Sequence, residues 1–177
     1  DSSALKCSDI RRRIGIVQQD ILLFNESMRY NLVFSNAIPD EAILEVCEKV
    51  GLKEHIESLP EGLDTKIDKA SFDLSGGQKQ RMMIARVLLK KPDVFIFDEA
   101  ASDLDTDIEK TIINLFEQIS ADKIVIMISH KPSQVKKCDR IILLRNSSIE
   151  NIGTHHELME TSKTYNMMVR KEQIIEV

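Results

Sequence analysis

The feature that most constrains the fold is a series of short apolar runs that alternate with helical segments. Three runs, at 94–97, 123–129 and 140–145, are rich in large or β-branched residues and show no regular polar alternation. That pattern is typical of strands in a parallel sheet covered by helices on both faces. A shorter run at 13–17 is a fourth candidate strand. The alternation predicts an α/β fold.

The remaining periodic segments predict helices. They cover 40–50, about 76–90, 106–119 and about 155–172. Residues 39–90 contain helices without a convincing strand, so we interpret this segment as a helical subdomain. The sheet-forming core would then consist of residues 1–38 and 91–177, and the whole chain, 1–177, would form one incomplete domain.

Composition narrows the class of protein. The chain has 177 residues, 42% of them hydrophobic and 30% charged, which suits one soluble domain with a sizeable core. A net charge of −5 argues against a broad nucleic-acid surface. The longest apolar stretches fall far short of the ~20 residues that a membrane span needs. Three widely separated cysteines predict neither a disulfide framework nor a zinc site, in keeping with a reducing cytoplasm.

A first functional motif lies at 73–81, which reads DLSGGQKQR. Ser75 and two glycines stand directly before a predicted helix, where exposed backbone amides and the helix dipole favour an anion. A bare Gly-Gly pair is more often a flexible loop. The residues that follow in the chain favour the functional interpretation.

Polar residues follow three of the predicted strands. Asp98 and Glu99 end one strand, His130 follows the next, and Gln19 follows the first. Open α/β sheets bind ligands at the carboxyl ends of their strands, so these side chains could reach one crevice. An acidic pair there can hold magnesium and polarise a water. Taken singly, the acidic pair could be a solvated strand end and the histidine a surface residue.

Taken in order, these stretches resemble a known family. Five stretches match, in the same order along the chain, the motifs of ATP-binding cassette (ABC) transporters. They are VQQD for the Q-loop, LSGGQ for the signature, VFIFDEA for Walker B, SDLD for the D-loop and ISH for the H-loop. The resemblance to their nucleotide-binding domain spans nearly the whole chain. It implies a P-loop NTPase (RecA-like) core, with a mostly parallel sheet and helices on both faces, plus a helical subdomain that carries the signature motif.

Two further stretches are similar to the exporter branch of that family. They read LFNESMRYNL, after the Q-loop, and SLPEGLDTKI, at 58–67. The loop ahead of the signature departs from the exporter pattern, with Asp68, Lys69 and Ser71 where glycines and a glutamate are usual. Asp103 replaces a usual small residue in the D-loop.

The resemblance also implies roles for particular residues. Catalytic roles fall to Glu99, His130 and Gln19. Nucleotide contacts fall to Ser75, Gly76, Gly77, Gln78, Asp98 and Asp105. Magnesium would be held by Gln19 and Asp98, and the implied cofactors are ATP and Mg²⁺.

The implied function is ATP binding and hydrolysis coupled to export. The implied partners are a second nucleotide-binding domain, in a head-to-tail dimer, and the transmembrane domain of an exporter, with no nucleic acid. The implied location is the cytoplasmic face of the cell membrane. In such a dimer the signature would contact ATP held by the partner cassette.

The P-loop of that family has no counterpart here. Such a loop reads G-x-x-x-x-G-K-[ST], and none of the six glycines is followed by lysine. We therefore expect residue 1 to fall inside the domain, and the 177-residue segment alone to be inactive as an ATPase.

Two alternatives stay open at this point. One is a soluble, non-transport cassette ATPase acting on DNA or ribosomes, although the coiled coils or basic inserts typical of such proteins do not occur in this sequence. The other is a non-catalytic partner that supplies only signature and D-loop surfaces.

Overall fold

A computed structural model describes most of the chain. The described residues are 6–18, 22–34, 38–68, 73–101 and 104–175. The chain divides into two compact units, Asp1–Ile126 and Met127–Val177. Each unit is described by itself below.

The first unit combines helices with strands of one sheet. Its elements are α1 (Cys7–Arg13), β1 (Ile14–Val17), α2 (Met28–Val33), α3 (Asp40–Lys49), α4 (Lys53–Ser58), a 3-10 turn (Gly62–Asp64), α5 (Gly76–Lys90), β2 (Val94–Asp98), α6 (Thr106–Ser120) and the start of β3 (Ile124–Ile128). The sheet order is β1-β2-β3, and β1 and β2 run parallel, with Ile14 opposite Val94 and Val17 opposite Phe97. The predicted α/β fold is confirmed, and α3, α5 and α6 match their predicted positions within one residue.

The core of this unit forms where alternate residues of β2 meet the helices. Phe95 and Phe97 are buried, and the Phe97 ring stacks on Phe116 of α6 with 3.6 Å between ring centroids. On β1, a Cβ added at Gly15 would lie 2.5 Å from Val87 Cγ1 of α5. Only glycine therefore allows α5 to approach β1 this closely.

A buried polar cluster joins α2 to α5. The side chain of Asn31 is fully buried, and its Nδ2 donates to the carbonyls of Phe24, Glu26 and Ser27 at 3.0–3.3 Å. From α5, Arg86 Nε donates to the carbonyl of Asn31 at 2.5 Å. Burial lowers the pKa of Arg86 to about 10. The direction of α5 is thus set by the sheet on one side and by α2 on another.

The second unit contains a hairpin and helices. Its elements after β3 are α7 (Pro132–Val135), β4 (Ile141–Arg145), β5 (Ser148–Gly153), α8 (His155–Thr161) and α9 (Lys163–Ile175). Its core contains Ile141, Leu143, Leu158 and Tyr165.

The prediction that 140–145 is a strand of the parallel sheet was wrong in its pairing. This segment forms β4, which pairs antiparallel with β5 in a separate two-stranded sheet. Ile141 and Leu143 are buried, whereas Ile142 and Leu144 are 54% and 69% exposed. A run that is apolar on both faces does not reveal that only one face is covered, which is why periodicity misassigned it.

The predicted helix over 155–172 is two helices in the structure. The break falls at Ser162, which is buried and whose Oγ accepts from the backbone N–H of Tyr165 at 3.2 Å. Ser162 thus caps the start of α9. The capping serine was the signal that the sequence analysis overlooked.

Candidate functional site

The first part of the candidate site is the start of α5. Ser75 is the N-cap, and its Oγ accepts from the N–H of Gln78 at 3.2 Å. In return, Gln78 Oε1 accepts from the N–H of Ser75 at 2.8 Å. This capping box fixes the start of the helix. Accepting one bond leaves the Ser75 hydroxyl its proton to donate.

The surface around Ser75 is open to an approaching group. Ser75 and Gly76 are both exposed, and a Cβ added at Gly76 would have no heavy atom within 4 Å. Gly77 is half-buried in the first turn. Free amides at the N-terminus of this 15-residue helix carry a partial positive charge that favours an anion.

The two basic residues in the first turns of α5 support the motif internally. Lys79 Nζ lies 2.9 Å from Asp73 Oδ2, just ahead of the helix. Arg81 donates to the carbonyls of Gly51 and Gly77. Both side chains are bound to groups of the same chain. The groups that this helix start can offer to a ligand are therefore the open backbone amides and the Ser75 hydroxyl.

The second part of the site is the end of β2. Asp98 is the last residue of the strand, and Glu99 follows it; both are half-buried. Glu99 has a φ of 50°, in the left-handed region that non-glycine residues avoid. Such a conformation costs roughly 1–3 kcal/mol and is concentrated at functional sites.

A buried glutamine connects these two parts. Gln80 of α5 is 2% exposed, and its Nε2 donates to the backbone carbonyl of Glu99 at 2.9 Å. Gln80 was not among the predicted site residues. The signal was present, because Gln80 occupies the same helical face as the buried Ile84 and Val87.

Asp105 lies near the same helix. It is the exposed N-cap residue of α6. Burial lowers the pKa of Arg81, and the negative charge of Asp105 partly offsets that shift. Asp105 is therefore close enough to Arg81 to interact electrostatically with α5.

The other predicted site residues are placed less fully. Gln19 lies outside the described residues. His130 belongs to the second unit and is exposed after β3. Ser129 Oγ accepts from the N–H of Lys131 at 2.9 Å and donates to Gln134 Oε1 at 2.6 Å, which braces the loop on either side of His130. The proposed meeting of His130 with Glu99 in one crevice stays a prediction.

Within the described ranges, no group of three or more ligating His, Cys, Asp or Glu side chains could hold a metal ion. Magnesium is usually bound through one or two carboxylates together with substrate phosphates and waters. Asp98, a carboxylate at the end of a strand, fits one position of such a set.

An exposed aromatic cluster is formed by Phe24 ahead of α2, Tyr30 within it and Phe34 at its C-cap. The rings of Phe24, Tyr30 and Phe34 meet edge to face with centroids 5.7–6.0 Å apart, and each residue is 42–49% exposed. The Arg86 guanidinium lies 4.6 Å from the centre of the Phe34 ring. We call Phe24, Tyr30 and Phe34 the aromatic cluster.

Beside Phe24 lies a cleft of about 370 Å³. Its lining includes Asp73, just ahead of α5, and Lys79, in the first turn of α5.

Arg29 of α2 pairs with Asp40 at 2.5 Å and with Asp64 at 2.9 Å. The hydrogen bonds to these carboxylates raise the pKa of Arg29, and the pKa of Asp40 is lowered by the same contact. Arg29 therefore anchors α2 to the start of α3 and to the 3-10 turn.

None of the helices within the described ranges combines the length and the apolar character that crossing a bilayer requires.

Comparisons with known proteins agree on the family. The ABC transporter family model matches residues 1–102. An uncharacterized ABC transporter ATP-binding protein of Bacillus subtilis is 38% identical over 162 residues, which cover 91% of this chain and 28% of that protein. A putative export ATP-binding/permease protein of Rickettsia bellii is 33% identical over 175 residues, covering 99% of this chain and 30% of that protein.

A solved structure gives the same result for the fold. A bacterial Atm1-family ABC exporter with ATP bound matches with a TM-score of 0.87 and 30% identity, over 94% of this chain and 30% of that chain. This chain thus spans less than a third of the length of these relatives.

Proposed function

The chain belongs to the ABC transporter family, and on that basis we propose that it forms part of the ATP-hydrolysing domain of an exporter. The observation that carries the proposal is the open start of α5, where the Ser75 hydroxyl and glycine-flanked amides are presented beside one another. Gln80 ties this helix to Glu99 at the end of β2.

The start of α5 contacts the γ-phosphate of ATP held by a partner cassette. Ser75 donates its hydroxyl, the exposed backbone at Gly76 allows close approach, and the helix dipole favours the negative charge. Two cassettes then enclose two ATP molecules head to tail. The phosphate-cradling P-loop motif does not occur in these 177 residues.

Hydrolysis depends on the end of β2. Glu99 orients or deprotonates the attacking water, His130 contacts the γ-phosphate, and Asp98 and Gln19 would hold the metal ion. Bound Mg²⁺ supplies neutralisation of charge on the phosphate oxygens. Positioning and charge neutralisation account for most of the rate in phosphoryl transfer.

The membrane partner contacts the aromatic cluster. Relatives of this chain are named export ATP-binding/permease proteins, and three half-exposed aromatic rings next to a cleft suit a protein contact. Arg86 connects Phe34 and Asn31 to α5, so a movement of the aromatic cluster reaches the helix that begins at Ser75. The domain then works at the cytoplasmic face of the cell membrane.

The test is Glu99→Gln in the full-length protein that contains this chain. Glutamine keeps the size of the side chain but cannot accept a proton, so turnover should fall by roughly 10²–10⁴-fold while ATP binding persists. Glu57→Gln, an exposed position on α4, is the matched control. ATPase rate and nucleotide affinity are measured for both. Hydrolysis by the Glu99 variant at more than about a tenth of the parental rate would rule out the role of base.

A further inference from the structure

We propose that Gln80 is a positioning residue for hydrolysis, which holds the backbone of Glu99 in its left-handed conformation. The inference rests on the proposed function, because it assigns a role in the same reaction. Gln80 itself contacts neither nucleotide nor water in this scheme. It acts through Glu99.

The backbone of Glu99 has a conformation that needs support from its surroundings. Its φ of 50° is sterically disfavoured for any residue with a Cβ, so surrounding contacts must maintain it. On one side, the chain runs into β2, whose register against β1 is fixed. On the other side, Ala100 and Ala101 are 3% and 1% exposed, so the following backbone is packed.

The third constraint is the hydrogen bond from Gln80. Its Nε2 lies 2.9 Å from the Glu99 carbonyl oxygen, and the side chain that carries it is 2% exposed. Because the donor side chain is buried and Glu99 is half-buried, losing this bond weakens the constraint on the Glu99 carbonyl. Rotation of the Glu99 peptide would then move the carboxylate away from the position that activates water.

Gln80 also lies close to the start of α5. Gln80 follows the N-cap Ser75 by five residues, which is about 7.5 Å along a helix. The adjacent Arg81 donates to the carbonyls of Gly51 and Gly77, so this stretch of helix is braced. The helix that contacts ATP at its start is thereby joined to the backbone of Glu99, the residue whose carboxylate its own chain uses for hydrolysis.

The experiment compares two variants in the full-length protein. Gln80→Leu keeps the approximate volume and removes the donor. We expect kcat for ATP hydrolysis to fall about tenfold or more, with KM for ATP changed less than about twofold. In the nucleotide-free state, hydrogen exchange of the backbone amides at 98–101 should accelerate. Gln118→Leu, the same substitution at an exposed position of α6, should change neither quantity.

Gln80→Glu separates positioning from packing. A buried carboxyl has a raised pKa, and only its protonated form can donate to the Glu99 carbonyl. The ratio of this variant's kcat to the parental kcat should be highest at low pH and fall as pH rises through that pKa. The same ratio for Gln80→Leu should not change with pH.

The outcomes are distinguishable. The inference is overturned if Gln80→Leu keeps the parental kcat or leaves hydrogen exchange at 98–101 unchanged. It is also overturned if the kcat ratio of Gln80→Glu to the parental protein does not depend on pH. If the parental protein itself hydrolyses no ATP in this assay, the proposed function fails instead.

Discussion

Replacing glycine by alanine should have different effects at two positions of the first unit, one important for stability and the other for activity. Gly15 lies in β1, and an added Cβ would sit 2.5 Å from Val87 Cγ1 and 2.8 Å from Pro92 Cγ. Gly76 begins α5, and an added Cβ would meet no heavy atom within 4 Å. We predict that Gly15→Ala mainly lowers stability and that Gly76→Ala mainly lowers activity.

The expected magnitudes follow from these distances. Contacts under 3.0 Å force α5 and β1 apart, and overpacking of this kind costs about 1–3 kcal/mol. For a domain of this size, that lowers Tm by roughly 2–12 °C. Alanine favours a helix over glycine, so Gly76→Ala should leave stability equal or slightly higher. Under the proposed function its methyl group would occupy the surface that phosphate approaches, and losing one preorganised donor costs kcat on the order of 10²-fold.

The assay measures thermal unfolding and ATP turnover of both variants in the full-length protein. Gly15→Ala should retain turnover at temperatures below its lowered transition. The reasoning is refuted if Gly76→Ala is as destabilised as Gly15→Ala, or if it hydrolyses ATP at the parental rate.

Three other predictions follow from the same structure. Ser75→Arg in the full-length protein should block hydrolysis while ATP binding persists. A Ser75→Arg cassette mixed with a P-loop-disabled cassette should hydrolyse ATP, whereas two Ser75→Arg cassettes together should not. The trans assignment fails if neither or both of these two pairings hydrolyse ATP. The 177-residue chain alone should hydrolyse ATP at the background rate, and robust magnesium-dependent turnover by the pure chain would contradict this. Asn31→Leu should lower the free energy of unfolding by about 1–3 kcal/mol, because it leaves buried carbonyls unsatisfied; urea unfolding checks this, with exposed Asn25→Leu as the control.

Local sequence signals predicted most of the elements. Ser75 with Gln78, and the two glycines between them, specify the start of α5 because a capping box involves residues only three apart. The strand ending in Asp98 was predicted from its own apolar run. Where two faces are equally apolar, as at Ile141 and Ile142, pattern alone did not distinguish a buried sheet from a half-covered hairpin.

The sequence by itself determined the family and the chemical groups of the candidate site, since each motif is contiguous and its residues act through local geometry. Only the tertiary structure decided how those motifs are held. Gln80 and Glu99 are 19 residues apart, and Asn31 and Arg86 are 55 apart, yet each pair shares a hydrogen bond. No periodicity encodes such a pairing, because it depends on how α5 packs against β1 and α2, and that packing is fixed by side chains distributed over the whole unit.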